Sequence, residues 1–356
     1  MYKKFLSFLF FFALLISFSK VSDYDHEVTA NQESKIYLPI IFKSQPKTVL
    51  LGLYPTGWMG NQEVIDSQLN ELSIWSGKQI TIAGTFIGIE DPTVWDINIP
   101  LTKIYENGYT PFINIGTKFT AEQFASGDAN IHIVEWAKLF KQVVSEEERM
   151  AFIALMPEMN GDWVVYGYDP TNFIKSFRLI QRVFLEQGVP KDSVKWVFAP
   201  NGWSFPVHNF EYYYPGDEFV DVVGFSSYNF GYCGASTYWK SLQIGVEPYV
   251  ERMQNLAPGK PIFLTQTGTS AYTSKDVIND GAKNLWLKNG YSYLANISSI
   301  KAIIYFNIEG RGCDFAIYRT WETDYLTKYI GYKEGIQSNV FKYFSPAELK
   351  LQPLSP

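Results

Sequence analysis

Two positions in this sequence place a polar side chain directly after an apolar run. Glu158 follows the run MAFIALMP, and Gln266 follows the run PIFLT. Because Met156 and Met159 flank Glu158, we expect apolar surroundings that raise the pKa of its carboxyl, which would let it act as a general acid. Retaining cleavage of a glycosidic bond also needs a second carboxylate about 5 Å away as the nucleophile. Gln266 has nearly the shape of glutamate but carries no negative charge.

If these two positions served such a cleavage, the missing charge would leave three hypotheses open. In the first, another carboxylate takes part in an altered hydrolase, and Glu309 is a better candidate than Glu90 or Asp91. In the second, the chain binds carbohydrate without cleaving it. In the third, the substrate brings its own nucleophile, such as a 2-acetamido oxygen, and Gln266 positions that group.

Aromatic side chains are abundant, at 17% of the chain, with 10 Trp and 24 Tyr. Most of them must pack in the core, but aromatic rings also stack on sugar faces, and each such contact could contribute about 1 kcal/mol. Five aromatic residues lie at the ends of predicted strands or shortly after them. Together with Asn160 they are the candidate substrate-binding residues: Trp58, Trp163, Trp203, Tyr228 and Phe306.

Eight short apolar runs bounded by Gly, Pro or Asn predict buried parallel strands. They span residues 49–55, 79–86, 110–116, 150–158, 194–201, 219–229, 261–268 and 300–307. The clearest helices between them are predicted at 62–75, 132–146, 171–187 and 274–289. This alternation favours a (β/α)8 TIM barrel of the α/β class over an open doubly wound sheet. In such a barrel the site lies where the strands end, so Glu158 and Gln266 should meet there.

Composition divides the chain into four segments. Residues 1–19 have two lysines and then a short apolar run, which predicts a cleaved signal peptide and a secreted protein. Residues 20–47 are expected to form a linker and residues 48–345 the barrel domain. Residues 346–356 contain three prolines and are expected to form a loose tail.

The composition also argues against several classes of function. The formal net charge of −6 and the lack of a basic cluster argue against a nucleic-acid partner. The chain has only three histidines, His26, His132 and His208, and no zinc-ligand spacing, so we expect no metal and no other cofactor. No GxSxG, GxxxxGK or GxGxxG motif occurs, which argues against a serine hydrolase and against nucleotide binding. We expect a monomer whose partner is a polysaccharide or oligosaccharide.

Five segments, taken in order, resemble glycoside hydrolase family 26, a β-mannanase family of retaining (β/α)8 barrels. The resemblance covers roughly residues 48–343 and is carried by PEMNGDW, WVFAPN, VDVVGFSSYN, LTQTGTS and YFNIEG. It implies a mannan-type endo-β-glycosidase with Glu158 as the acid/base and Trp163 as a sugar-stacking platform. It also implies that Tyr228 orients the nucleophile by a hydrogen bond and that Gln266 occupies the nucleophile position.

The sequence departs from this family's pattern at three positions. Pro157 stands where the family usually has histidine, and Ser226 where it often has aspartate. Gln266 replaces the nucleophilic carboxylate itself, so the resemblance predicts the family's site with its catalytic charge altered.

The two cysteines follow the sixth and eighth predicted strands. Cys233 and Cys313 would leave the same face of a barrel on either side of the seventh strand, and exported proteins commonly form disulfides. A bridge between them would stabilise the fold by about 4 kcal/mol in the chain-entropy model. The alternative is two free thiols.

Overall fold

The computed structural model describes residues 47–146, 149–310, 313–318, 328–352 and 354. The predicted signal peptide and nearly all of the predicted linker lie outside this part. Within it, eight parallel strands close into a barrel, because the last strand pairs with the first. The strands are β1 Leu50–Tyr54, β2 Ile82–Gly88, β3 Thr110–Gly116, β4 Ala151–Leu155, β5 Val194–Phe198, β6 Val222–Asn229, β7 Ile262–Thr269 and β8 Ile300–Phe306. The predicted (β/α)8 barrel is confirmed.

Helices surround the barrel and connect successive strands. The α-helices are Gln62–Ile65, Glu71–Ser76, Asn98–Glu106, Ala121–Ser126, Asn130–Val144, Pro170–Glu186, Leu242–Leu256, Asp280–Leu294, Ile330–Gly335 and Pro346–Leu351, with a π-helical turn at Asp66–Asn70. Short 3-10 helices are Lys191–Ser193, Pro206–His208, Phe210–Tyr213 and Asp217–Phe219. Two short hairpins pair Tyr272–Ser274 with Val277–Ile278 and Glu309–Gly310 with Cys313–Asp314. In the described part of the chain, no helix is both long enough and apolar enough to cross a bilayer.

Two predicted segments differ from the structure. The helix expected over 274–289 begins only at Asp280, where Asn279 caps it by accepting a hydrogen bond from the Ala282 backbone. The residues before it form a hairpin instead, with Asp276 in the left-handed region at its turn. The tail expected to be loose contains the helix Pro346–Leu351, whose capping box joins Ser345 and Glu348.

Large side chains fill the barrel interior, as the alternation of strand residues requires. The rings of Phe152 and Phe263 lie 5.0 Å apart, and that of Phe112 packs 6.3 Å from Phe152. Nearer the carboxyl ends of the strands, the ring of Tyr54 lies against Gly84, where a Cβ would come within 2.4 Å of it. Gly84 therefore makes room for Tyr54 just below the site.

An irregularity in β7 sets the position of Gln266. On the β6 side the register shifts between Phe225 and Ser226, so that Ser226 lies beside Gln266. On the β8 side it shifts between Ile303 and Tyr305. Such irregularities re-aim side chains next to functional sites. Here the register shift sets Ser226, on β6, next to Gln266 at the mouth of the barrel.

Candidate active site

Glu158 lies just beyond β4, in a backbone conformation that few residues adopt. Strand β4 ends at Leu155, and Met156 and Glu158 then have φ values of 47° and 60°. The chain stays attached to both neighbouring strands, because Met156 N donates to Ile115 O at 2.8 Å and Glu158 N donates to Ala199 O at 2.9 Å. These bonds hold the side chain of Glu158 over the mouth of the barrel.

Both carboxylate oxygens of Glu158 accept hydrogen bonds from neighbouring side chains. Trp163 Nε1 donates to Oε2 at 2.7 Å, Asn201 Nδ2 donates to Oε1 at 2.9 Å, and Ser226 Oγ also donates to Oε1. The carboxylate of Glu158 is thus not in the apolar surroundings expected from Met156 and Met159. Those two side chains are buried in the hydrophobic core together with residues of the surrounding helices. The carboxylate is fixed by polar donors from the loops after β4 and β5 and from β6 itself.

Gln266 lies at the end of a directed chain of hydrogen bonds. The backbone oxygen of Thr265 can only accept, and it accepts from Tyr54 OH at 3.1 Å. Tyr54 oxygen then accepts from Asn114 Nδ2 at 2.8 Å, and Asn114 Oδ1 accepts from Gln266 Nε2 at 3.4 Å. This series of hydrogen bonds therefore identifies the Gln266 atom that faces Asn114 as the amide nitrogen.

The carbonyl end of Gln266 faces Tyr228, whose hydroxyl donates to Oε1 at 2.7 Å. Burial raises the pKa of Tyr228 well above its ordinary value, and the negative charge of Glu158 raises it further. The hydroxyl consequently keeps its proton and remains a donor. This is the contact that the resemblance implied for Tyr228.

Two cavities adjoin at Glu158 and Gln266. The larger, of about 830 Å³, extends over β5 to β8, and the smaller, of about 270 Å³, extends over β2 to β4. Glu158, Gln266 and Phe86 line both of them. A cleft thus continues to either side of the two residues that the sequence singled out.

Most of the predicted aromatic residues line the larger cavity. These are Trp163, Trp203, Tyr228 and Phe306. Trp58 does not line it, and its ring lies 6.0 Å from that of Trp95, another exposed side chain. Asn160 does not line it either, because its side chain is fully buried and bonds the Asn201 backbone, with Nδ2 donating at 2.8 Å and Oδ1 accepting at 2.9 Å. Asn160 therefore positions Asn201 rather than facing the cleft.

Several residues of the site were not singled out by the sequence analysis. Asn201 bonds Glu158 directly, and its place at the end of WVFAPN, a strand tip, was a usable signal. Asn114 lies within β3 and gave no such signal. Phe86 and Lys240 also line the larger cavity, the latter from the loop after β6.

None of the other carboxylates considered from sequence faces the cavities through a described side chain. Glu90 accepts hydrogen bonds from Thr117 Oγ1 at 2.7 Å and from the Lys118 backbone, which ties it to the loop after β3. Asp91 is exposed and lies 3.4 Å from His132 Nδ1. The side chain of Glu309 lies outside the described part of the structure. Among the described residues that line the two cavities, Glu158 is the one carboxylate.

The two cysteines are joined behind aromatic residues that line the larger cavity. Cys233 and Cys313 form a disulfide with their Cα atoms 5.6 Å apart. They pack in a small cluster with Phe315, whose ring lies 5.5 Å from that of Tyr228. In the described residues no group of three His, Cys, Asp or Glu side chains could hold a metal ion.

Comparison with known proteins identifies relatives of this chain. Endoglucanase H of Acetivibrio thermocellus is 26% identical over 289 residues, which is 75% of this chain and 29% of that protein. The chain therefore spans less than a third of the length of this relative.

Solved structures share the fold at low sequence identity. The catalytic domain of an endo-β-1,4-mannanase from a Bacillus species superposes with a TM-score of 0.61 at 14% identity, covering 86% of this chain and 90% of that one. A modular endo-β-1,4-mannanase from Cellulomonas fimi gives 0.60 at 12%, covering 85% and 74%. A β-mannanase from a symbiotic protist of the termite Reticulitermes speratus, complexed with gluco-manno-oligosaccharide, gives 0.57 at 13%, covering 85% and 90%.

A family model described as glycosyl hydrolase family 26 matches residues 95–297, a range that includes Glu158 and Gln266. Because this match extends over more than half of the sequence, the chain belongs to glycosyl hydrolase family 26.

Proposed function

We propose that the cleft binds the interior of a β-linked polysaccharide, with Glu158 in the acid/base position and Gln266 in the position of the nucleophile. The observation that carries the proposal is that these two residues line both adjoining cavities. A polymer that passed through the cleft would cross between them. The named relatives, an endoglucanase and endo-β-1,4-mannanases, act on such polymers and favour a β-linked glycan.

In this proposal the chain holds its glycan without forming a covalent intermediate. Glu158 could give a proton to the leaving oxygen of a glycosidic bond, as a general acid does. Gln266 offers a neutral oxygen that already accepts from Tyr228, and it has no charge to stabilise a developing positive charge at the sugar. With no second carboxylate among the described lining residues, binding is the activity we expect of the unaltered chain.

Restoring the charge is the direct test. We expect the Gln266→Glu variant to release reducing ends from β-mannan, mixed-linkage β-glucan or xylan, while the unaltered protein binds one of these in affinity gels without cleaving it. Adding Glu158→Gln to that variant should lower its rate by about 10²–10⁴-fold, since proton transfer to the leaving group is lost. Hydrolysis by the unaltered protein, or no binding to any β-glycan, would contradict the proposal.

A small external nucleophile provides a second test, on the Gln266→Gly variant, in which the missing side chain leaves room for it. Azide would attack the anomeric carbon of an aryl β-oligosaccharide from the side of position 266, forming a carbon–nitrogen bond as the carbon–oxygen bond breaks. The leaving oxygen would take its proton from Glu158, and the product would be the α-glycosyl azide. With a poor leaving group the reaction should depend on Glu158, and with dinitrophenolate, which needs no proton, it should not. A β-glycosyl azide would indicate a different arrangement of the reacting groups.

Export of the protein is also part of the proposal. Its support is the sequence of residues 1–19, with a basic start and an apolar run. Expression in a bacterial host should give culture-medium or periplasmic protein that begins near residue 20, which N-terminal sequencing would determine. Protein that keeps Met1 in the membrane fraction would contradict cleavage.

A further inference from the structure

The larger cavity contains a lysine that the proposed reaction does not use. Lys240 lines the cavity from the loop after β6, on the side away from β2 to β4. Its backbone is held on both sides, since Lys240 N donates to Asn229 Oδ1 at 3.0 Å and Trp286 Nε1 donates to Lys240 O at 3.1 Å. The residue therefore has a fixed place in the cavity wall.

The aliphatic part of Lys240 packs against the helix Leu242–Leu256. A Cβ built on Gly245 of this helix would lie 3.4 Å from Lys240 Cε and 3.0 Å from Ser227 Oγ. Gly245 thus leaves space for the lysine stem between the helix and β6. This packing directs the side chain along the cavity wall and reduces its freedom to extend into solvent.

The ammonium group of Lys240 has no protein partner among the described residues. No carboxylate forms an ion pair with it there, and its Nζ makes no hydrogen bond with them. Burial lowers its pKa, and no neighbouring charge offsets that effect. A half-buried cation without a protein partner is unfavourable, and an anion that binds beside it stabilises it.

The charge of the cleft agrees with an anionic ligand. The described lining residues carry one negative charge, on Glu158, and one positive charge, on Lys240. A carboxylate at position 266 would make the lining negative and would repel an acidic sugar. With Gln266, the cleft is formally neutral and has its cation on one side.

We propose that Lys240 forms a subsite for an anionic substituent of the bound glycan, such as the carboxylate of a uronic acid residue. The inference rests on the proposed function and specifies its substrate class as a β-linked polysaccharide that carries negative groups. The acidic chain as a whole, with a formal net charge of −6, would repel such a polymer, so a preference for it requires a local cation.

Oligosaccharides of β-1,4-mannan and of β-1,4-mannuronan form a matched pair of probes, because they differ only in a hydroxymethyl or carboxylate group at C6. By calorimetry at 0.15 M salt we expect the mannuronan oligosaccharide to bind at least about tenfold more tightly than the neutral one, because hydrogen bonds to charged groups are stronger than those to neutral groups. Its affinity should fall as salt is added, and that of the neutral probe should not. A sulfated mannan oligosaccharide distinguishes the sources of negative charge: preference for sulfate over carboxylate would overturn the uronic acid assignment.

Three variants decide whether Lys240 is responsible. Lys240→Met should remove the preference, and Lys240→Arg should keep it. The control Lys275→Met removes an exposed lysine from the hairpin after β7 and should leave the preference unchanged. If the protein binds the neutral probe and shows no preference for the acidic one, the anionic subsite is overturned but the proposed function is not. If Lys240→Met weakens the binding of both probes equally, the lysine binds a sugar hydroxyl, and the anionic subsite is overturned too. Absence of binding to both probes and to every β-glycan would contradict the proposed function itself.

Discussion

The backbone at Glu158 has an unfavourable conformation at the position that we propose for the acid/base. A φ of 60° is unfavourable for a residue with a Cβ, by roughly 1–2 kcal/mol, and glycine pays no such penalty. The side chain lines both cavities, so that water could reach its donors Asn201 and Ser226 if it were removed. Stability and chemistry therefore favour different residues at this position.

Comparing two truncations isolates the backbone contribution. Glu158→Gly and Glu158→Ala both delete the carboxylate, but only alanine keeps the Cβ that conflicts with a positive φ. We expect the glycine variant to be more stable than the alanine variant by about 1 kcal/mol, measured by urea unfolding. Equal stabilities, or a more stable alanine variant, would mean that the left-handed conformation is not retained.

The direction of the hydrogen bonds below the site makes a second prediction. In Gln266→Glu, Asn114 Oδ1 would face another acceptor, and the new carboxylate would lie near Glu158 in a buried position. We expect a loss of about 1–3 kcal/mol in the free energy of unfolding at neutral pH. A carboxyl whose pKa is raised by folding destabilises above its unfolded pKa, so the loss should disappear as the pH falls and the group takes up a proton.

Gln266→Met is the control for this pH dependence. It also removes the hydrogen bond to Asn114, together with the one from Tyr228, but has no group that titrates, so its loss of stability should not vary between pH 4 and pH 7 relative to the unaltered chain. A loss of the same size at both pH values in Gln266→Glu would show that it does not arise from the charge of the new carboxylate.

At this scale the sequence located strand ends better than it located side-chain directions. The rule that sites lie at strand ends placed Glu158, Gln266 and Trp203 at the mouth of the barrel. The same rule selected Trp58, which packs with Trp95 outside the larger cavity, because a residue's place in a loop does not fix where its side chain points. Asn114 was missed since it contacts the site from inside the strand.

At the scale of elements, a long connection carries part of the cleft. The chain between β5 and β6 has only short 3-10 helices, and it bears Trp203 at the cavity. An ion pair anchors it: Arg252 of the helix Leu242–Leu256 donates to both oxygens of Glu211 at 2.7 Å. The same guanidinium lies 4.0 Å from the centre of the Phe210 ring.

This ion pair predicts a pH-dependent contribution to stability. Burial raises the pKa of Glu211, but the hydrogen bonds and charge of Arg252 outweigh it and leave the pKa below its ordinary value. A lowered pKa means stability that is present above the unfolded pKa and lost as the pH falls through the folded one. Glu211→Gln should therefore cost about 1 kcal/mol at pH 7 and nothing at strongly acidic pH, measured by chemical unfolding.

A matched control comes from an exposed pair of the same type. Glu334 lies 3.0 Å from Lys288, with both side chains about half exposed, so solvent screens their attraction. Glu334→Gln should leave the free energy of unfolding unchanged within error. An effect as large as that of Glu211→Gln would show that the contribution is general surface charge rather than the geometry of the Glu211–Arg252 pair.

The strands were predictable because a buried parallel strand has a continuous apolar sequence. The predicted ends of all eight lie within a few residues of the ends in the structure. The helix Pro346–Leu351 was not predicted, because the three prolines of the tail suggested a break. In the structure Pro346 occupies the first turn, where its missing N–H is harmless, and Leu349 packs into the core beneath the barrel. That burial depends on contacts distant in sequence, which local composition does not report.

At the scale of the whole molecule, the disulfide joins the loops on either side of β7. The closed segment between Cys233 and Cys313 is 80 residues and includes β7 and β8, the strand that closes the barrel. Replacing both cysteines by serine should lower the free energy of unfolding by about 4 kcal/mol. Thermal unfolding followed by circular dichroism would measure the effect, with unaltered protein in reductant as the comparison. Two titratable thiols in the unreduced native protein would contradict the bridge.

The position of Glu158 and Gln266 between two cavities has a consequence for long glycans. A polymer that is bound at an interior segment extends beyond the protein on both sides, so one polymer molecule can bind several copies of the protein along its length. Light scattering should then show complexes whose mass grows in proportion to glycan length, while short oligosaccharides give one protein each. A protein that binds the polysaccharide without cleaving it would in this way cover the polymer and alter how polysaccharide molecules associate with one another.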